Sequence, residues 1–331
     1  MSERSRIDPI EPCTHASQFS AQQLNTYCFM PQAAPASETS LQIAAVPVFL
    51  SAADYEQMRQ LINALETVIR SAEWRRLVLP AAPDIARHDP GNAGVLYGFD
   101  FHLTESGPKL IEINTNAGGA LIITDVLRTQ SGCCSALSAP NPAEQARLAE
   151  NAIIESLITD FFMVKGRAPG LIAIVDAHPE QQYLYPEFQR FASLLRERDV
   201  AVEICDPADL RFSSGVLSIR NKAVDMVYNR LTDFYFSDST VLALREAYLS
   251  GNLVVSPNPF HHALYADKRN LALLTNPQTL TQMNVAPALQ KRLLEGIPET
   301  HCVDRENAAQ LWADRKHYFF KPASAYGGKG A

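Results

Sequence analysis

No run of about 18 or more apolar residues occurs in the 331 residues, which leaves no candidate for a membrane-spanning helix. The opening MSERSRIDPIEP has no apolar core followed by a small-residue cleavage site, so the expected location is cytoplasmic. There is no Lys/Arg-rich block, and 29 basic residues stand against 36 acidic ones, a formal charge of −7. A general binder of nucleic acid or of an anionic membrane needs the opposite balance, and neither is expected as a partner. The six cysteines (Cys13, Cys28, Cys133, Cys134, Cys205, Cys302) form no C-x-x-C pair and no disulfide-framework spacing. We read them as thiols, the adjacent Cys133 and Cys134 as small buried hydrophobes. No G-x-G-x-x-G follows a predicted strand, which argues against a dinucleotide fold, and no G-x-S-x-G elbow marks a nucleophilic serine.

What is present is the composition of an ordinary globular protein, 47% hydrophobic and 20% charged. Single cores seldom grow past roughly 250–300 residues, so two or more substructures are expected. Residues 1–44, rich in Pro, Ser, Ala and Gln without a sustained period, read as a loosely structured arm. After the cap Ser51, apolar residues at Met58, Leu61, Ile62, Leu65, Val68 and Ile69 recur at helical spacing and predict a helix over 52–73. GVLYGFDFHL and PKLIEINTN, joined by ESG, predict a hairpin. A helix over 142–163 then runs into the breaker KGRAPG. From LIAIVDA to NLVVS, apolar strands alternate with helical patterns, the mark of a parallel doubly wound sheet. A helix through YADKRNLALLT and a strand HYFFKP lead into the loop ASAYGGKGA. A domain ending there would leave a bare edge, so further sequence is expected beyond Ala331.

Two constellations carry chemistry. Glu112 and Asn114 are two apart on a predicted strand, so both side chains share a face, and antiparallel pairing brings Asp100 within reach. Magnesium prefers such hard oxygen donors, one or two carboxylates completed by phosphate oxygens. The turn TNAGGA that follows has two glycines where backbone can approach a phosphate closely. In the second constellation, Lys321 ends a strand before a loop with three glycines and a second lysine, a pattern that can cradle phosphates. It is not a Walker A loop, because Ala323 and Gly330 stand where a glycine and a hydroxyl are required. Arg230, just past the strand DMVYN, is a fork-shaped donor suited to a carboxylate or phosphate, and equally to a surface salt bridge. His261 and His262 read as packing at a helix entry.

These motifs together resemble the ATP-grasp enzymes. LIEINTNAGG looks like their metal-binding strand, FFKPASAYGGKG is similar to their phosphate-covering loop, and ADKRNLALL resembles the helix that precedes it. Here the metal strand comes first, so the chain resembles the circularly permuted group. The resemblance implies an α/β fold with α+β parts, ATP-grasp subdomains in permuted order around a Rossmann-like doubly wound pre-ATP-grasp domain. It divides the chain into the arm, a metal-binding half over 45–164, the Rossmann-like domain over 165–260 and an incomplete nucleotide-binding subdomain over 261–331.

It further implies Asp100, Glu112 and Asn114 as ligands of Mg2+, or of Mn2+ in its place, with Lys268 and Lys321 on the phosphates of ATP. Tyr326, Gly327, Gly328, Lys329 and Gly330 would form a lid over the triphosphate, and Arg230 is the candidate catalytic side chain. The implied activity is an ATP-dependent carboxylate-amine or carboxylate-thiol ligase, ADP-forming through an acylphosphate, acting on small-molecule carboxylate and amine substrates. Many members place an arginine two residues before the first metal-binding acid, where this chain has Gly98. That departure motivates the alternative of an inactive or regulatory ATP-binding module. The oligomeric state is not readable from the sequence.

Overall fold

A computed structural model describes residues 50–130 and 141–323. The arm over 1–44, Cys133, Cys134 and the lid residues Tyr326, Gly327, Gly328, Lys329 and Gly330 lie outside the described residues. Ser51 caps α1 (Ala52–Ile69) by accepting the Asp54 N–H at 3.0 Å, as its position before the apolar stripe predicts. The helix stops short of residue 73. Ser71 starts a second helix, α2 (Ala72–Val78), by accepting the Trp74 N–H at 3.1 Å, and the break turns Trp74 into the core. There its indole Nε1 donates to the Leu264 carbonyl at 3.0 Å.

The hairpin forms as expected from β1 (Gly98–Thr104) and β2 (Gly107–Asn114), with Asp100 opposite Glu112 and a bulge just after Asp100. β1 begins at Gly98 rather than near residue 94. The Ala93 and Gly94 amides are drawn off to the Asp160 carboxylate at 2.8 and 3.0 Å, and Leu96 takes a positive φ of 60°. Helix α3 (Ala120–Gln130) follows the Gly118-Gly119 turn, and α4 (Pro142–Lys165) ends on Gly166 in the left-handed conformation that favours glycine.

The parallel sheet has the order β4 (Ala201–Cys205), β3 (Leu171–Val175), β8 (Met226–Asn229), β9 (Val254–Ser256). Its two faces are both covered, which is why its strands read as unbroken apolar runs. Ile172, Ile174, Met226 and Tyr228 share one core with Ile154 and Phe161 of α4 and with Phe188 and Phe191 of α5 (Tyr185–Arg196). Ala173, Val175, Val227 and Val255 share the opposite core with Leu244 and Tyr248 of α6 (Leu242–Leu249). A separate antiparallel sheet, β5 (Leu210–Ser213), β6 (Val216–Ile219) and β7 (Lys222–Ala223), turns its first hairpin at Ser214-Gly215.

A further core joins α1 and the hairpin to the C-terminal helices. Leu65, Ile69, Leu110, Leu274 and Leu293 are fully buried in it. The region predicted as one helix through YADKRNLALLT is split. A π-helical turn, His262–Ala266, precedes an extended Asp267, and helix α7 (Arg269–Leu274) starts from Lys268. The predicted strand HYFFKP is not one. Residues 318–322 are exposed, with Phe319 at 73%, and join no backbone ladder among the described residues. Aromatic β-formers make a strand only when a neighbour takes up their backbone groups.

The tight double-sided packing of the parallel sheet makes a direct prediction. Ile174→Ala, at a fully buried position of β3, should cost about 2–5 kcal/mol in chemical denaturation, and a loss below about 1 kcal/mol would show that this face is loosely packed.

Candidate nucleotide and metal site

The antiparallel register brings the first constellation together. Asp100 faces Glu112 directly, and the Asn114 amide donates to the Asp100 carboxylate at 3.3 Å, so two carboxylates and a carboxamide gather on one end of the ribbon. Desolvation, reinforced by the facing Glu112, holds the Asp100 carboxyl above its ordinary range, with Lys321 and the Asn114 bond pulling the other way.

Both predicted lysines arrive at this point from far along the chain. Lys268 Nζ lies 3.3 Å from Glu112 Oε1, and Lys321 Nζ lies 3.2 Å from Glu112 Oε2. One carboxylate therefore holds two ammoniums, one on each oxygen. Lys268 can reach it because its neighbour Asp267 is committed elsewhere. The Asp267 carboxylate accepts the Arg269 amide at 3.0 Å and its guanidinium at 2.5 Å, which closes the first turn of α7 and leaves Lys268 at its head.

Among the described residues no group of three or more His, Cys, Asp and Glu side chains is arranged to hold a metal. The cluster could supply part of a coordination shell. Two carboxylates and a carboxamide oxygen are too few for a cage made of protein alone, but match an ion that takes its remaining ligands from phosphate and water.

The Gly-Gly turn does not have the role expected of it. Glu187 of α5, a carboxylate only 1% exposed, accepts the Gly119 N–H of the turn at 2.8 Å and the Leu121 N–H of α3 at 3.0 Å. A protein carboxylate thus stands at the start of α3, where a phosphate was expected. Gly118 is required for a steric reason: a Cβ there would lie 2.3 Å from Leu184 and 2.7 Å from Arg230.

Arg230 is buried beneath the same turn. Its Nη1 donates to the Ala117 carbonyl at 2.9 Å and to the Tyr228 hydroxyl at 3.3 Å, and its Nη2 to the Asn116 carbonyl at 3.4 Å. The Asn116 side chain completes the attachment by donating to the Leu231 carbonyl at 3.0 Å. The structure thus bonds Arg230 to the turn after the metal strand and not to the carboxylate–lysine cluster.

Its position is nonetheless at a binding edge of the sheet. The chain leaves β3 toward β4 on one side and returns through β8 on the other, so the ends of β3 and β8 form the switch point where ligands of open α/β sheets lie. Asp176 and Arg230 are the residues immediately past those two strands. Burial pushes the Asp176 carboxyl up to about 6, against the opposing pull of the Ala177 amide and the Arg230 charge.

Reading the sequence passed over Glu187, although a signal was there. It falls on the helical face that also carries Phe191, Leu194 and Leu195, and a charge on a core-facing stripe calls for a partner. The two histidines are packing residues. His262 stacks on Phe234 with ring centroids 4.0 Å apart, His261 is buried, and burial lowers both to about 4.

No known family model matches the chain, and no curated protein matches its sequence. Among solved structures it is similar to a glutathione synthetase-like effector from Globodera pallida, in its apo form. The TM-score is 0.57 at 14% identity, over 82% of this chain and 71% of that one. The likeness is one of fold. The mixed α/β architecture is thus shared with that glutathione synthetase-like structure. Among the described residues no helix is long and apolar enough to cross a membrane.

Two outcomes test this geometry. Glu187→Ala leaves two buried amides without acceptors and should cost about 1–3 kcal/mol in denaturation, while Glu187→Gln, which keeps one acceptor oxygen, should lose less. Asp176→Asn should stabilise the protein in a pH-dependent way. The raised value favours the folded state in full only below the ordinary carboxylate range, and that contribution is gone once the pH passes about 6. The gain in Tm from the substitution should therefore be near zero at pH 4, grow to about pH 6 and stay level above. A gain independent of pH would contradict the assignment.

Proposed function

We propose that the chain forms the ATP- and magnesium-binding part of an ADP-forming ligase that joins a small-molecule carboxylate to an amine, or to a thiol. The observation that carries the reading is the convergence of Asp100, Glu112, Asn114, Lys268 and Lys321, drawn from two hairpin strands and two distant segments, on one small patch. The glutathione synthetase-like fold supports the same class. The strand carrying Glu112 and Asn114 stands ahead of both lysines along the chain, which supports reading the arrangement as a permuted ATP-grasp order.

Under this reading Asp100, Glu112 and Asn114 hold Mg2+, or Mn2+ in its place, which would neutralise charge on the phosphates when bound. Lys268 and Lys321 orient the triphosphate of ATP and stabilise the charge that moves to the leaving ADP. The substrate carboxylate attacks the γ-phosphate to give an acylphosphate, and the amine then displaces phosphate. Such chemistry needs charge neutralisation and in-line positioning rather than a side-chain nucleophile. The crevice beyond β3 and β8 is the acceptor side in this proposal. Arg230, whose buried Nε has no hydrogen-bond partner among the described residues, offers a donor to a carboxylate there, and Asp176 a counter-charge for an amine.

One observation favours a second reading, a nucleotide-binding module without turnover. At Gly98, where the resemblance calls for arginine, a Cβ would lie 3.0 Å from the Ala117 Cβ, so the turn has closed over the space a longer side chain would need.

Glu112→Gln separates these readings from neither having merit. It should lower magnesium-dependent ADP release, measured across a panel of amino acids and small peptides, by about a hundredfold or more, the scale of several kcal/mol of charge stabilisation. Circular dichroism should show the fold intact. Wild-type release in that variant removes the metal assignment, and magnesium-dependent ATP binding with no release from the wild type over the whole panel selects the module.

A further inference from the structure

Resting on the ligase reading above, we infer that Asp176 is the base that takes a proton from the acceptor's ammonium and so frees the amine that attacks the acylphosphate. Its place in the sheet carries the inference. Val175 pairs with Cys205 on one side and with Asn229 on the other. Asp206, Asp176 and Arg230 are therefore the next residues on three adjacent parallel strands, a row across the carboxyl edge where ligands of open α/β sheets bind. The backbone carries the row past the strand ends. The Asp176 N–H donates to the Cys205 carbonyl at 3.2 Å, and the Arg230 N–H to the Val175 carbonyl at 2.8 Å.

The neighbours in that row are engaged, and Asp176 is only half so. Asp206 accepts the His178 N–H at 2.8 Å and the Ala208 N–H at 2.9 Å, with His178 Nδ1 3.5 Å from the same carboxylate. The Arg230 guanidinium is bonded to the turn after the metal strand. Asp176 accepts the Ala177 N–H at 2.8 Å on Oδ1, and its Oδ2 has no hydrogen-bond partner among the described residues. A carboxylate 8% exposed, with one oxygen uncommitted at a ligand-binding edge, calls for a cation or a proton.

The chemistry has need of such a group. An alkyl ammonium titrates at about 10 and an α-ammonium at about 8, so at neutral pH the acceptor arrives with its lone pair tied up by a proton. Under the ligase reading Asp100 and Glu112 belong to the metal, and Glu187 is filled by two amides. Asp176 is the carboxylate left to the acceptor. Its surroundings suit it to the task. Burial pushes its carboxyl up to about 6, Asp206 adds to the rise, and the Ala177 amide and the Arg230 charge oppose it. A base nearer the working pH transfers a proton more efficiently than an ordinary aspartate at about 4.

The step balances. Asp176 takes one proton from the ammonium and becomes a neutral acid. The nitrogen lone pair forms the C–N bond as the bond from the acyl carbon to the phosphate oxygen breaks, and phosphate leaves with that electron pair and with the second N–H proton. Asp176 returns its own proton to solvent once the product departs.

The test uses the 331-residue chain and the same panel of amino acids and small peptides. ADP release is read with amine acceptors from the panel and with hydroxylamine, which carries a free lone pair at about pH 8 and needs no base. Asp176→Asn should lower kcat for the amines by about a hundredfold or more while hydroxylamine keeps wild-type release. The base works only when ionised, so in the wild type kcat/KM for the amine should climb as the pH rises through about 6 and then level. In the variant it should go on climbing, following the fraction of free amine. A higher amine KM at unchanged kcat makes Asp176 a counter-charge alone and overturns the proposal. So do equal losses with amines and hydroxylamine, which mark a structural role. Both leave the ligase reading standing. Absence of ADP release from the wild type with every donor and either acceptor removes that reading, and the base with it.

Discussion

Glu112 sits between two ammoniums, and the rest of the site is arranged so that it can. The hairpin must pair in the register that puts Asp100 opposite it, Asp267 must be occupied by Arg269 so that Lys268 heads its helix, and residues 318–322 must bring Lys321 back to the ribbon. Each of these depends on the core beneath. Leu65, Ile69 and Trp74 fix the hairpin against the segment ending at Tyr265, and Leu274 and Leu293 hold the helices that follow. The polar cluster is small, but the chain segments it joins are brought together by apolar burial.

A second support comes from the parallel sheet. The turn after the metal strand is held at its carbonyls by Arg230, from the end of β8, and at its amides by Glu187, from α5. These groups are partly or fully buried, and each finds a partner, as buried polar groups have to. They explain why two glycines stand together there. Gly118 lies where Leu184 and Arg230 leave no room for a Cβ, and Gly119 takes a φ of 91°, which glycine adopts without strain.

Much of the architecture was legible because it was written in local periods. The alternation around Asp100 and Glu112, the apolar strands of the sheet and the caps at Ser51 and Gly166 are each decided within a few residues of sequence. The pairing of Lys268 and Lys321 with Glu112 was legible only in part. The residue types announced a phosphate site, but nothing local says that two ammoniums share one carboxylate. Arg230 and the Gly-Gly turn were read for what their chemistry could bind, and the structure shows Arg230 bonded to the Asn116 and Ala117 carbonyls and the Gly119 amide to Glu187. The tract Tyr318–Phe319–Phe320 has strong strand propensity, yet a strand is a property of two neighbours, and propensity describes one.

Glu187 has a mechanical meaning as well as an electrostatic one. Its backbone belongs to a helix packed on the parallel sheet, while its carboxylate is fastened to the head of the helix that continues from the metal strand. The sheet and the ribbon are therefore tied together by two side chains, Glu187 on the amide side of the turn and Arg230 on its carbonyl side, so the strand carrying Glu112 and Asn114 takes its position from the parallel sheet as well as from the core beneath the hairpin.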